Sequence, residues 1–170
     1  QQSLMRVLCG RAATVEADRE RTGAMLARTG ETGEPAVRVW TPHRQVAFGR
    51  RDAVESGYED ACAVARKRGF EPIERRVGGR AVAHTKSTVA FAHAIPVADP
   101  RAGLTTRYET TTERVRRALS EVGVEATPGE PPASFCPGSH SLRAGGKVVG
   151  IAQRVRPDAA LVAGCVVGGD

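Results

Sequence analysis

Seven short β-type runs, each bounded by turn residues, constrain the fold of this chain more than any other feature. They read AVRVW (36–40), QVAFG (45–49), EPIERRV (71–77), AVAH (81–84), TVAFAHAIP (88–96), KVVGIAQRV (147–155) and AALVAGCVV (159–167). TPHR joins the first two as a hairpin-like pair, Gly78-Gly79 separates the third from the fourth, and Gly145-Gly146 opens the sixth. Three helical stretches lie between them. Residues 13–28 are rich in Ala, Glu and Arg and run into the turn cluster TGETGEP. Residues 56–68 place Tyr58, Ala61, Cys62 and Ala65 at i, i+3, i+4 and i+7, with Ser56 as the expected cap and Gly69 as the stop. Residues 106–122 set Val115, Leu119 and Val122 on one stripe. Strand pairs interleaved with a few helices, without regular βαβ alternation, predict an α+β fold.

A length of 170 residues suits one domain with a real core, and 41% hydrophobic against 26% charged residues is the balance of a globular protein. The domain is expected over 13–170, with 1–12 as an N-terminal extension. No apolar run approaches the ~20 residues of a membrane span, and QQSLMRVLCGR lacks the apolar core of a secretory signal. The chain does not begin with Met and stops at a strand-like run, which leaves a truncated C-terminus open. Cysteines stand at 9, 62, 136 and 165 with no CxxC pair, against a disulfide framework or a metal site. A cytoplasmic protein with free thiols is the simplest expectation. With 25 basic and 19 acidic residues the net charge is +6, suited to an acidic partner. Aromatics at 4% and the absence of helix-turn-helix or zinc-finger spacing argue against nucleic acid.

Chemistry concentrates in ERRVGGRAVAH (74–84), ASFCPGSHSL (133–142) and GGKVVGIAQRV (145–155). Adjacent glycines after a strand permit a tight turn or a close ligand approach. GxGxxG is absent, and GGKVV fails the P-loop pattern. Cys136 lies in a loop beside Pro137 and Gly138, where a thiolate can be exposed and activated. Cys62 and Cys165 fall on amphipathic faces and read as core. His140 is four residues past Cys136 and could serve as its base, but short spacing in sequence says little about imidazole geometry. Only Lys67, Lys86 and Lys147 are lysines; arginine dominates the cations and cannot do a lysine's proton chemistry. The chain has no asparagine, which removes a Cys-His-Asn triad.

Taken together, ERRVGGRAVAH and GGKVVGIAQR resemble the biotin/lipoate ligase and octanoyltransferase superfamily. AVRVWTPHRQVAFGRRDA extends the likeness upstream, so that it covers roughly residues 13 to 167. The resemblance implies a mixed β-sheet flanked by helices, related to the catalytic core of class II aminoacyl-tRNA synthetases. It implies an acyl site built from Arg75, Arg76, Gly78, Gly79, Ala81, His84, Gly150 and Ala152, with Lys147 at the reacting carbonyl. A cysteine about ten residues ahead of the lysine resembles the octanoyl amidotransferases, whose nucleophile would here be Cys136. Thioester exchange conserves acyl activation and needs no cofactor. The implied donors are an acyl carrier protein, a glycine cleavage H protein or free lipoate. The implied acceptors are lipoyl domains of 2-oxoacid dehydrogenases. An ATP-dependent lipoate–protein ligase, using ATP and Mg, is the alternative reading. A non-catalytic subunit that grips an acyl chain or carrier is a third. The chain departs from the family pattern after His84, where TKSTVAFAH replaces an Asp-x-Gly-type turn.

Overall fold

The computed structural model describes residues 4–129 and 140–168. Its strands are β1 (Arg6–Cys9), β2 (Ala36–Trp40), β3 (Gln45–Phe48), β4 (Glu71–Glu74), β5 (Val82–His84), β6 (Thr88–Pro96), β7 (Thr127–Pro128), β8 (Leu142–Ala144), β9 (Gly146–Val155) and β10 (Ala159–Val167). Its helices are α1 (Val15–Thr32), α2 (Tyr58–Lys67) and α3 (Leu104–Glu121). The strands form a seven-stranded sheet, β1-β2-β6-β10-β9-β8-β7, and a three-stranded sheet, β4-β3-β5. Both sheets mix directions: β1–β2 and β3–β4 are parallel, and the other pairs are antiparallel. The α+β architecture is that expected.

Several local expectations change. β2 and β3 do not pair: β2 joins β6 in the large sheet and β3 sits between β4 and β5 in the small one. TPHR is therefore a crossing between sheets, a long-range choice that the local turn signal cannot encode. Residues 6–9, within the stretch read as an N-terminal extension, form edge strand β1 in register with Ala36–Val39. Helix α1 continues past Arg28 to Thr32, through Gly30, where a Cβ would fall 2.4 Å from the Asp158 carboxylate. Packing against the sheet carries the helix through its turn-forming residues. Thr14 caps it by accepting a hydrogen bond from Ala17 N–H. Helix α2 begins at Tyr58 after Gly57, without a side-chain cap, so Ser56 does not cap it. Val122 lies beyond α3 and is exposed.

Two apolar clusters sandwich the large sheet. On one face Met25 and Leu26 of α1 pack on Ala36, Ala92, Ala94, Ala159 and Leu161. On the other, Val115 and Leu119 of α3 pack on Phe91, Ala126, Leu142 and Val149. Period-2 alternation along β6, β9 and β10 separates the two sets. Cys62 is buried on α2, as its face predicts. Among the described residues no helix is long and apolar enough to cross a membrane.

Candidate functional site

A cavity of about 580 Å³ opens between the α1 face of the large sheet, the small sheet and α1 itself. Its floor is made by the strands' smallest side chains: Ala90 and Ala92 on β6, Ala163 and Cys165 on β10, Gly150 and Ala152 on β9. The register sets these side by side, with Ala152 opposite Ala163 opposite Ala92, and Gly150 opposite Cys165 opposite Ala90. The volume a core would normally fill is thus left empty across three adjacent strands. Ala47, Ile73, Val77 and Val82 supply an apolar wall from the small sheet and its loops.

The sequence-derived residues converge here in large part. Arg75, Arg76, Gly78, Gly79 and His84 line the cavity from the β4–β5 segment, and Gly150 and Ala152 line it from β9. Ala81 does not: it is exposed and absent from the lining. Gly79 has φ of 115°, and a Cβ on Gly49 would fall 2.0 Å from the Gly79 carbonyl oxygen. The β4–β5 connection is therefore held against the end of β3 at a distance that the missing Cβ of Gly49 allows, while Gly79 adopts a φ that favours glycine. Gly78 faces open space. Cys136 lies outside the described residues.

Lys147, like Ala81, is not among the residues that line the cavity; it reaches Gly150 at the cavity's border through a β-bulge. Leu142 pairs with Val149 but Arg143 pairs with Lys147, so Val148 is the extra residue on β9. Simple alternation would put Lys147 on the Val149 face. The bulge re-aims it, and its side chain lies over Gly150: a Cβ there would meet Lys147 Cε at 3.4 Å and Nζ at 3.6 Å. Gly150 thus leaves room for the lysine to lie along the cavity-facing surface of the strand.

The electrostatics are those of a basic rim over an apolar floor. Arg19, Arg75, Arg76 and Arg154 all border the cavity. Arg19 binds Glu16 at 3.0 Å and the Glu74 carbonyl at 2.9 Å, and Arg76 lies 3.8 Å from Glu16. Burial, then the Arg75 charge, lowers the His84 pKa to about 4, so the imidazole is neutral at physiological pH.

Sequence reasoning missed four features of this site. Asp18 lines the cavity and forms an ion pair with Arg38, a fully buried side chain that also donates to the Asp18 carbonyl and Thr22 Oγ1, each at 2.9 Å. The Arg38 guanidinium stacks 4.1 Å over the Trp40 ring, another lining residue. The signal was present: in AVRVW, Arg38 shares the inward face with Ala36 and Trp40, and a charge there requires a partner. Cys165 is buried, but its thiol borders the cavity rather than closed core. Cys9 is exposed, so exposure does not single out one thiol of the chain. Last, Tyr108 of α3 and His140 line the cavity together, with rings parallel to within 4° and centroids 4.2 Å apart.

Comparisons with known proteins agree on where this architecture belongs. A family model described as the lipoyl protein ligase A/B catalytic domain matches residues 21–167. An octanoyl-[GcvH]:protein N-octanoyltransferase of Exiguobacterium sibiricum is 34% identical over 122 residues, 70% of this chain and 44% of the relative. A lipoyl-[GcvH]:protein N-lipoyltransferase of Listeria monocytogenes is 27% identical over 119 residues, 69% of this chain and 43% of the relative. The chain therefore spans less than half the length of the curated relatives it matches. A crystal structure of lipoate-protein ligase A bound with ATP superposes with a TM-score of 0.80 at 23% identity, covering 97% of this chain and 67% of that one. A putative lipoate protein ligase from T. acidophilum with bound lipoic acid gives 0.79 at 22%, covering 97% and 68%. The mixed sheet, the glycine-lined cavity and the bulge-directed lysine thus stand in a chain that belongs to the lipoyl protein ligase A/B catalytic domain family.

Proposed function

We propose that this protein transfers an octanoyl or lipoyl group to a lysine of a lipoyl-domain protein through a thioester on Cys136, with Lys147 assisting. One observation carries the reading: the Lys147 side chain lies over Gly150 at an apolar cavity floored by small residues. An aliphatic acyl chain gains most from such a floor, at about 25 cal/mol per Å² of apolar surface buried. A carbonyl left at its edge, near Gly150, meets a cation suited to a developing oxyanion. The curated relatives named as octanoyl and lipoyl transferases support the transferase route.

The chemistry balances without an external cofactor. The Cys136 thiolate attacks the donor's acyl carbonyl, the donor's leaving group departs, and a thioester forms. The acceptor lysine's amine then attacks that thioester. A C–N bond forms, the C–S bond breaks, and the amine gives up one proton, which the released thiolate takes, so that an amide N–H remains. Donor and acceptor are proposed to be acidic carriers such as a glycine cleavage H protein and the lipoyl domains of 2-oxoacid dehydrogenases, which the +6 charge would attract.

Intact mass spectrometry decides between routes. Incubation with an octanoyl-thioester donor should add one octanoyl group at Cys136 and then to a lipoyl-domain acceptor, without ATP. Cys136→Ala should lose both. Acceptor modification by Cys136→Ala from free lipoate and ATP would establish the ligase route instead.

A further inference from the structure

Helix α3 covers only part of its face of the large sheet. Its apolar residues close over β8, β9 and β10 and reach Phe91 of β6, but the cluster they form includes no residue of β1 or β2. The register identifies what is left uncovered on that side. Val7 lies beside Val37, and Val37 beside His93; Cys9 lies beside Val39, and Val39 beside Phe91. Phe91 belongs to the α3-side cluster, whereas Leu8 packs on the α1 side, so both rows share the α3 face. Val7 is 65% exposed, Val39 39% and Val89 of β6 41%, and Cys9 is exposed as well. A sheet face that meets water normally turns polar residues outward; here the outward positions of β2 are valines. An apolar strip of this kind marks a contact site.

We propose that this strip docks an acidic amphipathic helix of a second polypeptide, laid beside α3 across β1, β2 and β6. Width and charge select that occupant. β1, β2 and β6 are neighbours in the sheet, and at about 4.8 Å between strands they span about 10 Å, the diameter of one helix with its side chains. The wall of the groove is cationic. Arg107, Thr111 and Arg114 fall at i, i+4 and i+7 on one flank of α3, and the Arg114 charge acts on His93, which sets that flank beside β6. Arg107 is 9% exposed, yet it donates to neutral acceptors, Gln153 Oε1 at 2.5 Å and the Ala102 carbonyl at 2.7 Å. Its Nη2 and the Thr111 hydroxyl are buried with no hydrogen-bond partner among the described residues. Arg114 is exposed, and no ion pair among the described residues includes either arginine. Two uncompensated guanidinium groups along one side of an apolar strip favour a helix whose apolar stripe is bordered by Asp or Glu. A second copy of this chain would pair the strip with itself, and the strip carries no carboxylate to meet those cations. The cavity opens on the opposite face, so a docked helix leaves it free.

Cys9 is a native reporter within the strip, because its alkylation by iodoacetamide can be followed by peptide mass. The probe is a designed helical peptide of about 18 residues, roughly 27 Å long, with leucines along one stripe and glutamates on both flanks. In the dilute protein alone Cys9 should be alkylated as fast as in a short unfolded peptide. The glutamate peptide should slow that reaction saturably, whereas the same peptide with lysines for glutamates, and a scrambled one, should not. Val39→Ser should weaken the protection about tenfold and Arg114→Glu about fivefold, both with unchanged circular dichroism. Equal protection by the glutamate and lysine peptides, or none by either, would overturn the proposal. So would slow alkylation of the protein alone, which would mean that the strip is already covered. If that slowing grows with protein concentration and sedimentation shows a dimer, a second copy is the occupant. Protection by phosphatidylglycerol vesicles, with none by the glutamate peptide, would assign the strip to a membrane surface instead.

Discussion

The two faces of the large sheet are built by alternate residues of the same strands, yet one is filled and the other hollow. On the α3 side, β6 and β9 present Phe91 and Val149, which close against Val115 and Leu119, and only Phe91 and the neighbouring Ile151 also reach the cavity's border. On the α1 side the intervening positions are Ala90, Ala92, Gly150 and Ala152, and the space above them is the cavity. Backbone pairing is shared, so side-chain volume alone distinguishes the filled face from the hollow one. Substitution on one face should therefore change stability, and on the other, chemistry.

The largest effect is expected on the hollow face, at Lys147. Lys147→Ala should lower transfer by about 10²–10³-fold through loss of oxyanion stabilisation, with the unfolding midpoint unchanged. Lys147→Arg keeps the charge but changes reach and geometry. Normal turnover by that variant would make Lys147 only a cation at a strand bulge and would dissolve the contrast between faces.

On the filled face, Leu142→Ala removes a fully buried side chain and should cost about 2–5 kcal/mol, measured by denaturant unfolding. Acyl loading of the folded fraction should persist. A variant that stays stable but cannot be loaded would show that the faces are coupled.

Filling the hollow is the converse experiment. Ala163→Leu adds bulk to a floor residue and should reduce acyl loading by roughly tenfold or more. Its stability cost should stay below that of Leu142→Ala, because the added atoms enter space rather than packed neighbours. Undiminished loading would place the acyl chain elsewhere.

Two histidines have a pKa lowered to about 4: His84 of the small sheet, half-buried at the cavity, by burial and then Arg75, and His93, buried on β6, by burial and then Arg114. The unfolded chain takes up these protons near pH 6.5, well above the folded protein, so stability falls as pH drops from about 6.5 toward 4. Above 6.5 the contribution is fully present. Each tenfold difference in proton affinity between the folded and unfolded chain is worth about 1.4 kcal/mol. His93→Gln and His84→Gln should each flatten that acid-side loss in a pH series of unfolding curves. An unchanged slope in both would remove burial as its source.

The smallest effect concerns neither face. If the +6 charge steers an acidic carrier, the association rate should fall as salt shortens the Debye length from about 10 Å at 0.1 M. A flat salt response would reject docking by charge.

Much of this molecule is legible in its residues because the relevant signals are local. Period-2 runs located most of the longer strands, and the i, i+3, i+4 pattern located α2 and buried Cys62. The two glycine-bearing motifs, carried by resemblance, anticipated Arg75, Arg76, Gly78, Gly79, His84, Gly150 and Ala152 as cavity residues. The same motif included Ala81, which alternation from Val82 turns outward. Pairing partners are a different matter. A strand's residues state which face is apolar but not which strand lies beside it, so the local signal suggests a β2–β3 hairpin that does not form and gives no sign of β1.

By itself the sequence determined the α+β class, the family and the order of small and large residues along β6, β9 and β10. Tertiary structure alone decided that the small residues of three strands fall into one register, because alignment between strands is a long-range property. It also decided, through one extra residue at Val148, that Lys147 turns onto the hollow face. The partner of Arg38 and the stacking of Tyr108 on His140 belong to the same category. Each joins residues twenty or more positions apart, and no local pattern specifies such a contact.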